Sequence, residues 1–359
     1  MAQANKVVTK IWNDESRSLL FFPLLTASVM YRGIASLRNR CYETGIFRTQ
    51  KMTCKVISVG NITVGGTGKT PTVIMLAHML KKHGYRPAIL SRGYGGKGEG
   101  RPGLVSDGHD LLMGPDESGD EPLLIAESVP DVPVIIGKER ALSGKLAVER
   151  FDVDVLILDD GFQHRRLFRD VDIVLLDSEK PFGNGFMLPR GRLREPRNAL
   201  KRAHIAVLTS TEGDVIVTGS GIQIPHIPVF RGRRIPGNLV RGREKDLFPL
   251  EYLRGKKVCA FSGIAEPDSF RKILEPLCGD VARFVPFPDH HAYDEGEVAY
   301  IKKICDDCHA QVILTTEKDG MKLARFPDFF RDLYRLRIQM EIVPSGMGFE
   351  ECILERLEI

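Results

Sequence analysis

The sequence predicts an α/β fold. It comprises a P-loop NTPase-type, mostly parallel sheet with helices on both faces, plus a second, smaller α/β lobe joined by a two-stranded connector. Three observations carry the expectation. A strand-like run at 56–59 enters the glycine-rich loop Gly60-Asn-Ile-Thr-Val-Gly-Gly-Thr-Gly68, which enters a helix opening with Lys69-Thr70-Pro71. Short runs of branched residues then alternate with helical ones, the pattern of strands covered on both faces. After a Gly/Pro-rich stretch at 211–228 that lacks helical periodicity, a second alternation starts near residue 256.

The chain begins with a basic segment. Residues 1–55 hold nine Lys/Arg against three Asp/Glu, whereas the remainder is slightly acidic. A charge so confined speaks against a general nucleic-acid binder and for a local anionic surface. Within it, residues 19–31 are uncharged and mostly apolar, bounded by Arg17 and Arg32. The run is shorter than the roughly 20 residues a span needs, and it lacks the small-residue cleavage site of a secretory signal. It reads as an interfacial helix whose flanking Arg17, Arg32, Arg38 and Arg40 face lipid phosphates; the alternative is a core helix of the first domain.

The helix after the glycine loop is read from Val73, Leu76, Ala77 and Leu80 at helical spacing. Strands are expected at 87–91, 132–136, 153–158, 172–176 and 204–209, and helices at 120–127 and 138–150. In the second lobe strands are expected at 257–261, 281–285 and 312–315, and helices at 267–276, 294–308 and 318–324. Residues 333–343 alternate like an antiparallel strand and are expected to pair with an extended 226–233. The resulting division is an N-terminal membrane-associated helix (1–40), a P-loop core (41–225), a connector (226–256), the smaller lobe (257–332), and a returning strand with the C-terminal segment (333–359).

Seven cysteines are scattered along the chain, read as free thiols of a reducing compartment. Cys305-Asp-Asp-Cys308-His309 matches a haem-attachment string. Its cysteines share helical spacing with Tyr300, Ile301 and Ile304, so packing is the reading, and neither haem nor zinc is expected.

Candidate chemistry falls at strand ends. Backbone N–H groups of Thr63, Gly65, Gly66, Thr67 and Gly68 would cradle phosphates, Lys69 would reach the β- and γ-phosphates, and the Thr70 hydroxyl would sit on Mg²⁺. Thr63 stands where a strict Walker A pattern has its first glycine. Val155-Leu-Ile-Leu-Asp159-Asp160 reads as a Walker B strand, since adjacent acids at a buried strand end are costly without a cation; the plainer reading is capping of the next turn. In Ser118-Gly-Asp120-Glu121-Pro122, Asp120 either caps a helix or accepts a hydroxyl proton, with Glu121 added to the metal shell. Asp289-His290, in a proline-bounded loop, can relay a proton. Arg190, Arg192 and Arg194 alternate, so an extended loop would aim them one way, toward phosphate; the alternative is a solvated basic loop. Arg92, Asn184, Arg190, Arg194, Gln163 and His164 form the candidate substrate-binding set. Thr316-Glu317-Lys318-Asp319 lacks the spacing of a guanine-reading string.

Nine strings in order resemble the tetraacyldisaccharide 4′-kinase (lipid A 4′-kinase) family: the N-terminal apolar helix, Gly60-Asn61 with Gly65 to Pro71, Ser91-Arg92-Gly93-Tyr94-Gly95, Gly119-Asp120-Glu121-Pro122, Asp159-Asp160-Gly161-Phe162-Gln163-His164, Leu193-Arg194-Glu195-Pro196, Phe261-Ser262-Gly263-Ile264, Asp289-His290 and Thr316-Glu317-Lys318-Asp319. The family shares the missing glycine at Thr63. The resemblance implies transfer of the ATP γ-phosphate to the 4′-hydroxyl of a tetraacylated glucosamine disaccharide 1-phosphate, at the cytoplasmic face of the bacterial inner membrane. It implies that Asp120, helped by His290 and Asp289, activates the hydroxyl. It also implies that Thr70, Glu121 and one or both of Asp159 and Asp160 hold Mg²⁺. A membrane-recruited NTPase switch would not need the Asp-His pair, and a soluble small-molecule kinase would not need the arginine-flanked apolar helix.

Overall fold

In the computed structural model, residues 11–12, 21–98, 100–210, 227–243, 246–264, 267–289, 291–343 and 348–358 are described. The expected Gly/Pro-rich stretch falls outside them over 211–226, as do His290 and residues 19–20 of the apolar run.

The described strands form one sheet of thirteen. They are β1 Lys55–Asn61, β2 Pro87–Ser91, β3 Gly103–Ser106, β4 Val134–Ile136, β5 Val155–Asp159, β6 Val171–Asp177, β7 Ile205–Ser210, β8 Val229–Arg241, β9 Asp246–Phe248, β10 Lys257–Ser262, β11 Asp280–Pro286, β12 Val312–Thr316 and β13 Leu333–Val343. Their order is β11-β10-β12-β13-β8-β7-β6-β1-β5-β2-β4-β3, with β9 added to β8. Pairing is parallel except at β3/β4, β8/β13 and β8/β9. β1 lies between β5 and β6, so the glycine loop leaves the middle of the sheet at the carboxyl ends of its neighbours, where α/β sheets hold ligands.

The helix Lys69–Lys82 buries Val73, Leu76, Ala77 and Leu80 against Ile57 and Val59 of β1. The chain returns to this core at its end. The helix Phe349–Glu358 inserts Phe349, Cys352, Ile353 and Leu357, and the Phe349 ring meets Phe230 of β8 edge-on at 5.2 Å. In the second lobe, Leu253, Phe270 and Leu274 cover one face of the sheet, and Tyr293, Ile301, Cys305 and Phe330 cover the other.

β13 pairs antiparallel with β8 from Tyr334↔Arg241 to Val343↔Arg231. The ladder runs past the expected limit at residue 233 and crosses Pro236. A proline removes one ladder donor, and the register shifts between Leu336 and Ile338, opposite that residue.

The N-terminal helix, Phe22–Glu43, is not a core helix. Polar bonds fasten one side: Ser28 Oγ donates to Met187 O (2.8 Å), Tyr31 Oη to Arg194 O (3.1 Å) and Asn39 Nδ2 to Glu195 Oε2 (2.9 Å). The other side leaves Phe22, Val29, Met30, Ile34 and Leu37 each more than 60% exposed. Among the described residues no helix is long and apolar enough to cross a membrane.

Candidate active site

The glycine loop is gripped from two sides, and its crest is left open. Asn61 Nδ2 donates to Thr67 Oγ1 across the loop (3.0 Å). Gly68, with φ +81°, caps the helix that Lys69 begins. A Cβ there would meet Met340 Cε of β13 at 2.8 Å, while Arg234 of β8 donates to Gly66 O (3.0 Å). On the opposite flank Thr63 bridges Leu193, with Val64 N donating to Arg192 O and Arg194 N to Ile62 O, both 2.7 Å. Gly65 and Gly66 are exposed, and a Cβ on Gly66 would meet nothing. Thr70 follows Lys69 in the first helical turn, half-buried.

β5 delivers Asp159 and Asp160 beside this loop. Asp159 is buried; its Oδ2 accepts from Ser91 Oγ at the end of β2 (2.9 Å). Its Oδ1 has no partner among the described residues. Burial, then the charges of Glu121 and Asp160, push its carboxyl up to about 6. Asp160 adopts φ +51°, an uncommon conformation for a side-chain-bearing residue. Its carboxylate takes a bond from Arg194 (2.9 Å) and lies 3.8 Å from Lys69 Nζ. Burial pushes that carboxyl up, but Lys69 and Arg194 outweigh it and hold it below the usual range.

Asp120 and Glu121 enter from the helix Asp120–Ser128. Gly119, not Asp120, is the N-cap, with φ +82°. A Cβ on it would stand 2.7 Å from Tyr94 O, so glycine lets the Ser91–Gly96 turn pack on the helix start. The Asp120 carboxylate instead faces the second lobe, where Lys322 Nζ lies 3.3 Å away, and Glu121 pairs with Lys318 at 3.0 Å. Burial pushes the Lys318 ammonium down, but Glu121, Asp289 and Asp120 outweigh it and hold it above its ordinary range. Asp289 therefore belongs to the same electrostatic cluster. His290 lies outside the described residues. Its neighbour His291 bonds Glu297 (2.8 Å) and stacks on Phe287.

Lys69, Asp120, Glu121, Asp159, Asp160 and Asp289 thus converge on one cleft. Among the described residues no three His, Cys, Asp or Glu side chains are arranged as a metal site. The donors nevertheless suit a hard cation: clustered carboxylates, one raised by burial and then by its neighbours' charge, with a buried oxygen unpartnered among the described residues. The sequence pattern does not reveal Ser91 as a partner of Asp159; Lys318 stands in the Thr316-Glu317-Lys318-Asp319 string without a role, and nothing there singles out Lys322. Beside that string, a signal for Lys322 is that it lies four residues after Lys318, on one helical face.

The candidate substrate residues divide. Arg92, Gln163, His164 and Arg194 line a cavity of about 360 Å³ beside Asp160 and the N-terminal helix, and seven of its twelve lining residues are Arg or Lys. Burial, then the charges of Arg140 and Arg169, push His164 down to about 4, so its ring is neutral at pH 7. Asn184 and Arg190 depart from the expectation. Arg190 is 1% exposed; its guanidinium lies over the rings of Phe21 and Phe186 and donates to Ile11 O (2.7 Å). Asn184 Nδ2 donates to Arg190 O (3.2 Å) and its Oδ1 accepts from Phe186 N. The 182–191 loop folds back on itself, so the alternate arginines do not point one way: Arg190 turns into packing and Arg194 to Asp160. A larger cavity, about 440 Å³, lies at the opposite strand ends beside Lys81, Tyr85 and Asp131 and holds none of these residues.

Residues 20–358 match the family described as Tetraacyldisaccharide-1-P 4′-kinase. A tetraacyldisaccharide 4′-kinase of Syntrophus aciditrophicus is 47% identical over 368 aligned positions, covering 97% of each chain. One from Pelobacter propionicus is 42% identical, covering 86% of this chain and 84% of its own. A crystal structure of Aquifex aeolicus LpxK in complex with ATP superposes with a TM-score of 0.78 at 34% identity, over 94% of this chain and 100% of that one.

Proposed function

The chain belongs to the tetraacyldisaccharide 4′-kinase family, and from the cleft just described we propose how it phosphorylates the 4′-hydroxyl of a tetraacyldisaccharide 1-phosphate with ATP. The observation that carries the reading is the meeting of two groups. The phosphate loop with Lys69 and the β5 aspartates holds one side of the cleft, and Asp120 reaches in from the other, backed by lysines of the second lobe.

Phosphoryl transfer needs positioning and charge neutralisation more than covalent help. The loop N–H groups from Thr63 to Gly68 and the Lys69 ammonium hold the triphosphate. Thr70, Glu121, Asp159 and Asp160 are the residues that would hold Mg²⁺, which when bound neutralises charge on the β- and γ-phosphate oxygens. Asp120 takes the proton of the sugar hydroxyl as it attacks, with Asp289 and His290 as the relay. Arg92, Gln163, His164 and Arg194 line a basic cavity suited to an anionic sugar head group.

The apolar side of Phe22–Glu43 docks on the membrane, which we place at the cytoplasmic face of the bacterial inner membrane. The exposed Phe22, Val29, Met30, Ile34 and Leu37 support this. Burying two such side chains in lipid is worth about 1.5–3 kcal/mol each. The double variant Ile34→Asp/Leu37→Asp is therefore expected to weaken binding to anionic vesicles by about 100-fold or more. Unchanged vesicle sedimentation would remove the docking role.

The activity is tested with the full chain in detergent, γ-labelled ATP, Mg²⁺ and a tetraacyldisaccharide 1-phosphate. Labelled lipid is expected. ATP consumption without labelled lipid would overturn the acceptor assignment.

A further inference from the structure

Behind Asp120 lies a buried ammonium to which the mechanism above gives no task. Lys322 follows Lys318 by four residues on the helix Glu317–Leu323. Its side chain is 10% exposed, with Nζ 3.3 Å from Asp120 Oδ2 and 3.8 Å from Asp319 Oδ1. Among the described residues it makes no hydrogen bond. An ammonium in such a place is costly unless its charge is used.

Asp319 is fixed firmly. It is fully buried, and its Oδ2 accepts from Thr316 Oγ1 (2.7 Å) and from Gly263 N at the end of β10 (2.9 Å). A Cβ on Gly263 would stand 3.0 Å from Asp319 Oδ1, so the backbone closes over that carboxylate. Lys322 therefore runs from an anchored acid of the second lobe to the reacting acid of the first. The lobes do not depend on it for contact: Lys318–Glu121 and Arg335–Glu127 (3.3 Å) also cross between them.

We propose that Lys322 is a positioning residue for Asp120. Anchored by Asp319, its charge fixes the direction of the Asp120 carboxylate, so the proton acceptor is aligned only when the second lobe is seated against the helix Asp120–Ser128. This rests on reading Asp120 as the acceptor.

The test is Lys322→Met, which keeps the length of the stem and removes the charge. The expected result is a kcat lower by about 10–100-fold with ATP KM unchanged, and ATP affinity by calorimetry within twofold of the parent. In the Asp120→Ala background, Lys322→Met should cost nothing further, because its effect passes through that carboxylate. Additive losses, or weakened ATP binding, would make Lys322 a structural residue and overturn the proposal. If Asp120→Ala is slow but Lys322→Met is normal, this inference fails and the acceptor reading stands; if Asp120→Ala is normal, both fail. Should Lys322→Met not fold, Asp319→Asn, which discharges the anchor, is expected to lower kcat by about tenfold with ATP affinity retained, and a parental kcat in that variant overturns the proposal.

Discussion

Replacing Asp120 by alanine is expected to lower kcat by about 10²–10⁴-fold, the usual worth of a positioned general base, with ATP KM changed only a few-fold. The competing role for an acid at this position is to cap the helix, and the fold gives that place to Gly119. The carboxylate lies instead between the helix start and Lys322, on the same side of the sheet as Lys69 and Asp159. Asp120→Asn separates the two roles. The amide keeps the shape and the polar contacts but cannot take a proton, so a base predicts the same loss as alanine, whereas a packing role predicts near-parental turnover. Among the described residues, alanine also leaves the Lys322 ammonium with only Asp319, 3.8 Å away, so part of any loss of stability belongs to that pair. Melting curves on both variants keep that term apart from the chemical one. Near-parental turnover in both would move the proton to the Asp289–His290 loop.

Much of the cleft was legible because local pattern and function coincide. The strand–loop–helix at 55–82 carries its own periodicity, glycines and Lys69, and β5 ends in its two acids. What sequence could not supply comes from distant segments. Lys318 lies 197 residues from Glu121, and no spacing rule links them. The alternate arginines were read from strand geometry, but the loop turns back on Asn184, so Arg190 is packed beneath Phe21 while Arg194 reaches Asp160. The extended pattern at 226–233 stops short of Arg241, where β8 ends, and the ladder runs on across Pro236 with a shift in register. The closing helix Phe349–Glu358 was not anticipated: it is short, and the core it completes belongs to the other end of the chain.

Glu195→Ala is expected to destabilise the fold by about 3–5 kcal/mol, the cost of leaving one partner of a buried ion pair alone. Glu195 is 2% exposed. Arg202 binds both its oxygens, at 2.6 and 2.8 Å, and Asn39 of the N-terminal helix donates to it at 2.9 Å. The same guanidinium lies 3.8 Å from the Phe162 ring centroid and donates to Phe162 O (2.9 Å), so the pair braces the turn that follows Asp159 and Asp160. Burial pushes the Glu195 carboxyl up, but the Arg202 and Asn39 bonds outweigh it and hold it below its ordinary value of 4.5. The sign follows: protons bind the unfolded chain first, so the contribution is complete above pH 4.5 and is lost as pH falls through the lower folded value. Denaturant midpoints of parent and variant should therefore lie far apart at pH 7 and converge in acid. A gap that persists unchanged in acid would assign the loss to packing around Asn39 and Phe162 rather than to the charge. A difference under about 1 kcal/mol at pH 7 would mean that the pair is no stronger than an exposed one. Glu195 would then serve only to direct Arg202 toward the turn behind the aspartates.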